Sequence, residues 1–452
     1  MSKEKLMHNE VNEKEMRFAF KEKADEVLCQ ADSFEKRIGT LRVGFESEVG
    51  IWKDNVPYYE IGVIRDKVVD RVKSVYGGEA DVELGLTQLE LRTAPYDILS
   101  DFEALDREYR KEFERNRFLA GNFGASILRI GSNPLLPVID TPRTDKLKYQ
   151  LVPDYQNMYR RKTITTTIGI NGKVIEIGDA SIVSLFQSFQ VNLEAKSLDD
   201  AIAKMNRSFM FAPYLMAIGG NSRYLGLQDT GWNDLRIVAW ELSHDTRTSD
   251  DIKRGMGLRI GLPEKYFEDM TDYFERILKY PFILHDPEHA FKIGIGLHWL
   301  DTRVKFIGNS AVVELRALPT QPTIENELAL TLFYIGRLIY AEATNEPFLP
   351  MVIVRENRLS SLMFGLAKPL WVAESGKYIK VDARDAVRRE LSRAGFGLKT
   401  VGLGCHIDIL ESLYSRIDNG SPSDVLSRHF DNCSSVCKEE MLEALKITGM
   451  LV

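Results

Sequence analysis

The sequence predicts an α+β protein built on an antiparallel sheet, with helices packed on one face and a polar second face left open. Three observations predict it. Four segments alternate apolar and polar residues with a period of two, the pattern of a half-buried strand. They are spread from Leu41 to Leu318, so one domain explains this stretch more economically than several. Their polar positions carry glutamate and arginine, an unusual cargo for an open sheet face.

Residues 3–37 are dense in Lys and Glu, with Phe18, Phe20, Ala24, Val27, Leu28 and Phe34 among them, which suits an amphipathic helix or helix pair packing on the domain. In Leu41 to Trp52, Leu41, Val43, Phe45, Val49 and Ile51 fall on one side and Glu46 and Glu48 on the other. In Ala80 to Tyr96, Glu83 and Glu90 lie seven residues apart. One straight strand would place them on opposite faces, but Gly85 between them allows a turn or bulge that brings both to one point. Ile98 to Leu119 reads as a longer helix that should lie on the apolar face of the sheet. Asn133 to Pro137 and Thr141-Pro142 mark a loop, and Tyr149 to Lys162 reads as an aromatic and basic connection.

Thr163 to Ile170 and Lys173 to Ile177 flank Asn171-Gly172, a signal for a hairpin with a type I′ turn. In Ser188 to Ala195, Phe189, Val191, Leu193 and Ala195 oppose Ser188, Gln190, Asn192 and Glu194. Ser197 is placed to cap a helix carrying Ile202, Met205, Phe209 and Leu215, which Pro213 should kink. The loop Gly219 to Leu235 is long enough to border a site, and Arg236 follows it as either a grip for an acidic group or a structural ion-pair partner. In Ala311 to Leu318, Glu314 and Arg316 oppose Ala311, Val313, Leu315 and Ala317; Thr323 to Ala343 is an amphipathic helix. The tail from Asp382 to Val452 is helical in pattern, and His429, Cys433 and Cys437, spaced by four, would share a helix face. The division expected is an N-terminal helical segment over 1–38, a catalytic domain over 39–380 and a helical extension over 381–452.

If the strands lie side by side, Glu46, Glu48, Glu83, Glu90 and Glu314 converge with Arg92 and Arg316. Two like charges about 4 Å apart repel by roughly 4 kcal/mol at an effective dielectric near 20, so such a cluster calls for cations. Mg2+ fits best, being a hard ion held by carboxylates together with substrate phosphates, and neighbouring arginines suit phosphoryl oxygens. A lone E-x-E or E-x-R is most often a solvated sheet face with cross-strand ion pairs. Four such strands in one chain point to a metal-phosphate site.

At 452 residues, 44% apolar and 28% charged, the chain has the composition of an ordinary globular protein. A net charge of −7 and the lack of a long basic run argue against a nucleic-acid partner. No apolar run nears 18 residues and the N-terminus is charged, so no membrane partner is expected and the expected location is cytoplasmic. Four scattered cysteines are too few for a disulfide framework.

The run from Glu83 through Gln88 and Glu90 to Ala94-Pro95 resembles the metal-binding segment of the glutamate-cysteine ligases, particularly the plant and proteobacterial type. Phe189 to Glu194 is similar to a strand of the same group. Asn221-Ser222, Asp229 to Gly231 with Arg236, Trp299-x-Asp301-x-Arg303, Val313 to Arg316 and Asn357-Arg358 resemble markers of the wider carboxylate-amine ligase family, in the same order from about residue 41 to about 370.

The resemblance implies a glutamine-synthetase-like fold, a curved antiparallel sheet with helices on its convex face, whose concave side binds ATP and two or three Mg2+ ions. It places Glu48, Glu83 and Glu90 on one metal, Glu46 and Glu314 on the metal bridging the ATP phosphates, Arg316 and Arg236 in catalysis, and Gln190, Asn192 and Arg316 at the nucleotide. The chain has no G-x-x-x-x-G-K-[ST] loop, so ATP would be held by metals and sheet residues.

The implied reaction is ATP-dependent amide bond formation through an acyl phosphate, with glutamate and cysteine as the first expectation for the two small-molecule substrates. Another acid and amine pair, or a Mg2+-dependent phosphoryl transferase or hydrolase on the same carboxylates, is the alternative. The Gly219 to Leu235 loop and the hairpin are the expected lid, and oligomeric state is open, a homo-oligomer included.

Overall fold

The computed structural model describes residues 3–36, 39–159, 166–168, 175–177, 179–374, 376–430 and 435–452. Its central sheet has eight strands: β1 (Arg42–Trp52), β2 (Ala80–Val82), β3 (Gln88–Arg92), β4 (Tyr96–Asp97), β5 (Ser126–Leu128), β6 (Ser188–Glu194), β7 (Thr302–Ile307) and β8 (Ser310–Pro319). The order is β7-β8-β6-β1-β3-β2, with β4 and β5 pairing opposite ends of β1 and every pairing antiparallel. The sheet curls into a half-barrel. The helices that matter below are α1 (Lys3–Cys29), α2 (Tyr58–Tyr76), α3 (Phe102–Gly121), α4 (Leu147–Tyr159), α5 (Leu198–Gly219), α6 (Arg236–Ser243), α7 (Ile324–Ala343), α8 (Met351–Phe364) and α9 (Ala383–Thr400).

β1 is central because its alternation serves two environments at once. Val43, Phe45, Val49 and Ile51 are fully buried on the helical side, while Glu46 and Glu48 face the other way and keep some exposure. Phe45 packs edge-on to Tyr109 of α3 at 5.1 Å and against Phe189 of β6 at 5.2 Å, so α3 lies on the apolar face as its sequence position implied. Asp101 caps α3 by accepting from the Ala104 amide at 2.8 Å. Ser197 caps α5 and Thr323 caps α7 in the same way. α5 runs on through Pro213 to Gly219 and is buried over most of its length. α9 packs on α7 where Gly397 meets Gly336: a Cβ on Gly397 would stand 2.1 Å from the Gly336 carbonyl oxygen. The buried apolar side chains, from Met16 to Leu451, form one contiguous core.

Three expectations need correction. Tyr149 to Tyr159 is not an irregular connection but the body of α4, which docks by the Tyr149 hydroxyl donating to the Val82 carbonyl at 3.0 Å. Tertiary docking outweighs Pro153, which costs an isolated helix about 3 kcal/mol. The loop after Gly219 is too well anchored to be a lid. Asn221, Ser222, Asn233 and Asp234 are buried there, and the Asn233 amide donates to the Met216 and Ser361 carbonyls at 3.0 and 3.1 Å.

His429 and Cys437 do not share a helix: His429 lies in the turn Arg428–Phe430, whereas Cys437 caps the helix Lys438–Ile447. Cys433, between them, lies outside the described residues. The hairpin strands pair as Thr166↔Ile177 and Ile168↔Ile175, and the remainder of the expected hairpin, the Asn171-Gly172 turn included, lies outside the described residues.

Candidate active site

Register alone draws the polar positions into neighbouring rows. Glu48 of β1 stands opposite Glu90 of β3, and Asp81 of β2 stands beyond Glu90. Glu46 is flanked by Arg92 and Gln190, while Asn192 is opposite Glu314, which is in turn opposite Arg303. Glu83 follows β2, and the chain turns at Gly85 to enter β3. Gly85 is required for space: a Cβ there would stand 2.1 Å from the Ser184 carbonyl oxygen. The turn is pinned by Arg65 of α2, which donates to the Gly85 carbonyl at 3.1 Å and to the Thr144 hydroxyl at 2.6 Å, and by Thr144 donating to the Glu83 carbonyl at 2.5 Å.

The carboxylates divide into two groups with opposite electrostatics. Glu48, Glu83 and Glu90 repel one another. Burial first, then the charge of Glu90, pushes the Glu48 carboxyl up to about 7. Burial first, then Glu83, pushes Glu90 up to about 8, and burial also raises Glu83, which shares a hydrogen bond with Glu90. Their partners are few. Glu48 accepts from the Ser188 amide at 2.7 Å and the Gln190 side chain at 3.3 Å, and Glu90 from Arg92 at 2.5 and 3.0 Å.

Glu314 is the opposite case. Burial favours its neutral form, but Arg303, Arg316 and Lys305 outweigh burial and hold it well below the usual carboxylate range. They reach it at 2.5, 2.7 and 2.8 Å. Lys305 also binds Glu46 at 2.5 Å. Sequence reading missed Lys305, although Arg303 and Lys305 alternate along β7 and so share a face.

Arg316 also donates to Gln190 at 3.1 Å. It sits where β8 slips register against β6 between Leu315 and Leu318, and this bulge re-aims the chain. Arg236, at the start of α6, is buried and donates to the Ala317 carbonyl inside that bulge at 2.7 Å. It therefore supports the backbone beside Arg316, and its Nε has no hydrogen-bond partner among the described residues.

Among the described residues no three His, Cys, Asp or Glu side chains are arranged to close on one ion as they stand. The residues nevertheless suit a hard cation. The donor set is all oxygen, Glu90 is buried and Glu48 half-buried without enough positive charge, and the Asn192 Oδ1 is buried with no partner among the described residues.

A curled sheet bearing this acidic and basic face defines the class together with the family comparison: a carboxylate-amine ligase that uses ATP. The family model for glutamate-cysteine ligase family 2 matches residues 42–395, and the chain belongs to that family. Among solved structures it is similar to a glutamate-cysteine ligase from Francisella tularensis in complex with AMP, at 13% identity and a TM-score of 0.59, over 92% of this chain and 89% of that one. A bifunctional glutathione synthetase from Pasteurella multocida matches at 12% identity and a TM-score of 0.48, over 97% of this chain and 54% of that one. None of the curated proteins compared with the sequence matches it.

Proposed function

We propose that the protein joins the γ-carboxyl of glutamate to an amine, with cysteine the first candidate, through an acyl phosphate formed from ATP. One observation carries the proposal. An under-compensated carboxylate trio, Glu48, Glu83 and Glu90, shares a concave sheet face with Arg303, Lys305 and Arg316.

Mg2+ held by Glu48, Glu83 and Glu90 would supply neutralising charge at the phosphoryl oxygens, and Glu46 and Glu314 would join in holding it on releasing Lys305, Arg303 and Arg316, their present partners. The chain's own residues do the rest. Arg316, fixed by Glu314, Gln190 and the bulge that Arg236 supports, presents its guanidinium towards the transferred group. The substrate carboxylate oxygen attacks the terminal phosphorus of ATP and ADP leaves. The amine nitrogen then attacks the acyl carbon, loses a proton, and inorganic phosphate departs. Gln190 and Asn192 lie between the two charged groups and suit hydrogen bonding to the nucleotide.

The test is ADP release from Mg-ATP with glutamate and a panel of amines that includes cysteine, followed by mass measurement of the product. An amide product whose formation requires both substrates is expected. ADP released at the same rate without any amine would instead make the protein a phosphoryl transferase or hydrolase.

A further inference from the structure

On the β7 side of the polar face, two carboxylates meet more positive charge than they can balance. Glu46 and Glu314 face Arg303, Lys305 and Arg316, each within 2.8 Å of a carboxylate oxygen, and Arg92 lies in the field of Glu46. One nitrogen binds both carboxylates: the Lys305 Nζ is 2.5 Å from Glu46 and 2.8 Å from Glu314. It stands where an ion bridging the two would stand. Mg2+ draws its oxygens in to about 2.0–2.1 Å and keeps several waters, so ion and ammonium exclude one another there. The ammonium leaves one nearby oxygen unused. Asn192, opposite Glu314, donates to Glu46 at 3.3 Å, while its buried Oδ1 has no hydrogen-bond partner among the described residues.

The three cations are not held equally. Arg303 also donates to the Ile295 and Gly296 carbonyls at 3.4 and 3.1 Å, and Arg316 also donates to Gln190 at 3.1 Å. The Lys305 ammonium has only the two carboxylates among the described residues. It comes from the edge strand β7, and its side chain is the most exposed of the three, 18% against 13% and 14%. A point charge on a flexible stem moves at less cost than a planar guanidinium fork. Charge decides when it moves. A divalent ion arriving alone would add to an excess of positive charge, whereas an anionic polyphosphate beside Arg316 would compensate both the ion and the displaced ammonium.

We propose that Lys305 is an exchangeable counter-ion: without nucleotide it keeps a divalent ion off Glu46 and Glu314, and it yields that place when a polyphosphate arrives to take its ammonium. The proposal rests on the ligase reading and gives it an order of events. Glu48, Glu83 and Glu90 take their ion unaided, while the position between Glu46 and Glu314 fills together with the nucleotide. Such coupling is reciprocal, so ion and nucleotide tighten each other's binding.

Metal-free wild type, Lys305→Gln and Lys305→Arg are titrated with Mn2+ at pH 8.5, and bound ions are counted from the loss of the free-ion EPR signal. Without nucleotide, Lys305→Gln is expected to bind about one ion more per chain than wild type, and Lys305→Arg the same number as wild type. Once ADP is bound, the difference between wild type and Lys305→Gln should vanish; adenosine, which lacks the phosphates, should leave it intact. Equal counts in the absence of nucleotide, a difference that persists with ADP, or one that adenosine also removes would overturn the proposal. Should Lys305→Gln fail to fold without a cation, recovery of its melting transition with Mg2+ alone supports the exchange, and no recovery removes it.

Should wild type bind no nucleotide and release no ADP, the ligase reading fails by itself. Inorganic tripolyphosphate then replaces ADP in the count: closing the gap between wild type and Lys305→Gln supports the counter-ion, and leaving it open removes it.

Discussion

At the scale of single residues, the glutamates of the concave face are not interchangeable, although their sequence contexts look alike. Glu90 stands beside other carboxylates, and its Arg92 partner is only half-buried. Glu90→Gln should lower Mg-dependent ADP release by at least about 100-fold while leaving the metal-free protein as stable as wild type, or more so, in urea melts at pH 8.5. Glu314→Gln should behave differently, because it leaves Arg303, Lys305 and Arg316 crowded with one anion fewer. Loss of one partner of a buried ion pair costs about 3–5 kcal/mol, so a large drop in urea midpoint is expected together with lost activity. Because the Glu314 carboxyl lies well below its unfolded value, the stability it contributes is present above that unfolded value and lost as pH falls through the folded one. Equal stability losses in the two variants would contradict the division into two groups.

At the scale of elements, the strands were legible because period-two alternation reports directly on which face is buried. The boundaries of β1, β6 and β8 fall within a residue or so of the alternating segments. The turn at Gly85 was legible for a related reason, since seven residues of odd spacing cannot put Glu83 and Glu90 on one face without a change of direction. Its second requirement, close approach to Ser184, was not readable because that neighbour comes from a remote part of the chain. Gly85→Ala forces the Ser184 carbonyl or the turn to move. A destabilisation of about 1–3 kcal/mol in urea and a weaker apparent affinity for Mg2+ are expected, and an unchanged Mg2+ dependence would show that the turn does not position Glu83. α4 was misread as a connection because it is held by docking onto β2, and local composition carries no record of a docking partner.

At the scale of the whole molecule, the site couples protons, cation and folding. Glu48 and Glu90 titrate near 7 and 8 in the folded chain without a cation, against about 4.3 when unfolded. Since the folded values are the higher ones, the stability these groups contribute is complete below about pH 4 and is lost as pH rises through the range 7 to 8. An ion that binds the deprotonated carboxylates restores it. Mg2+ should therefore raise Tm markedly at pH 8.5 and little at pH 6, and calorimetry in buffers of different ionisation enthalpy should detect about one proton or more released on binding near pH 7. A Tm shift of the same size at both pH values would place the cation elsewhere.

The sequence by itself determined the class of fold, the strands that build the sheet and the side chains on its polar face, because alternation and turn chemistry are local and survive without knowledge of neighbours. Only the tertiary structure decided how those side chains are paired. Lys305 and Arg303 neutralise Glu314 but leave Glu48, Glu83 and Glu90 short of positive charge, and Arg236 supports the bulge under Arg316. Electrostatic balance depends on distances of a few ångströms between groups far apart in the chain, and residue order alone does not encode those distances.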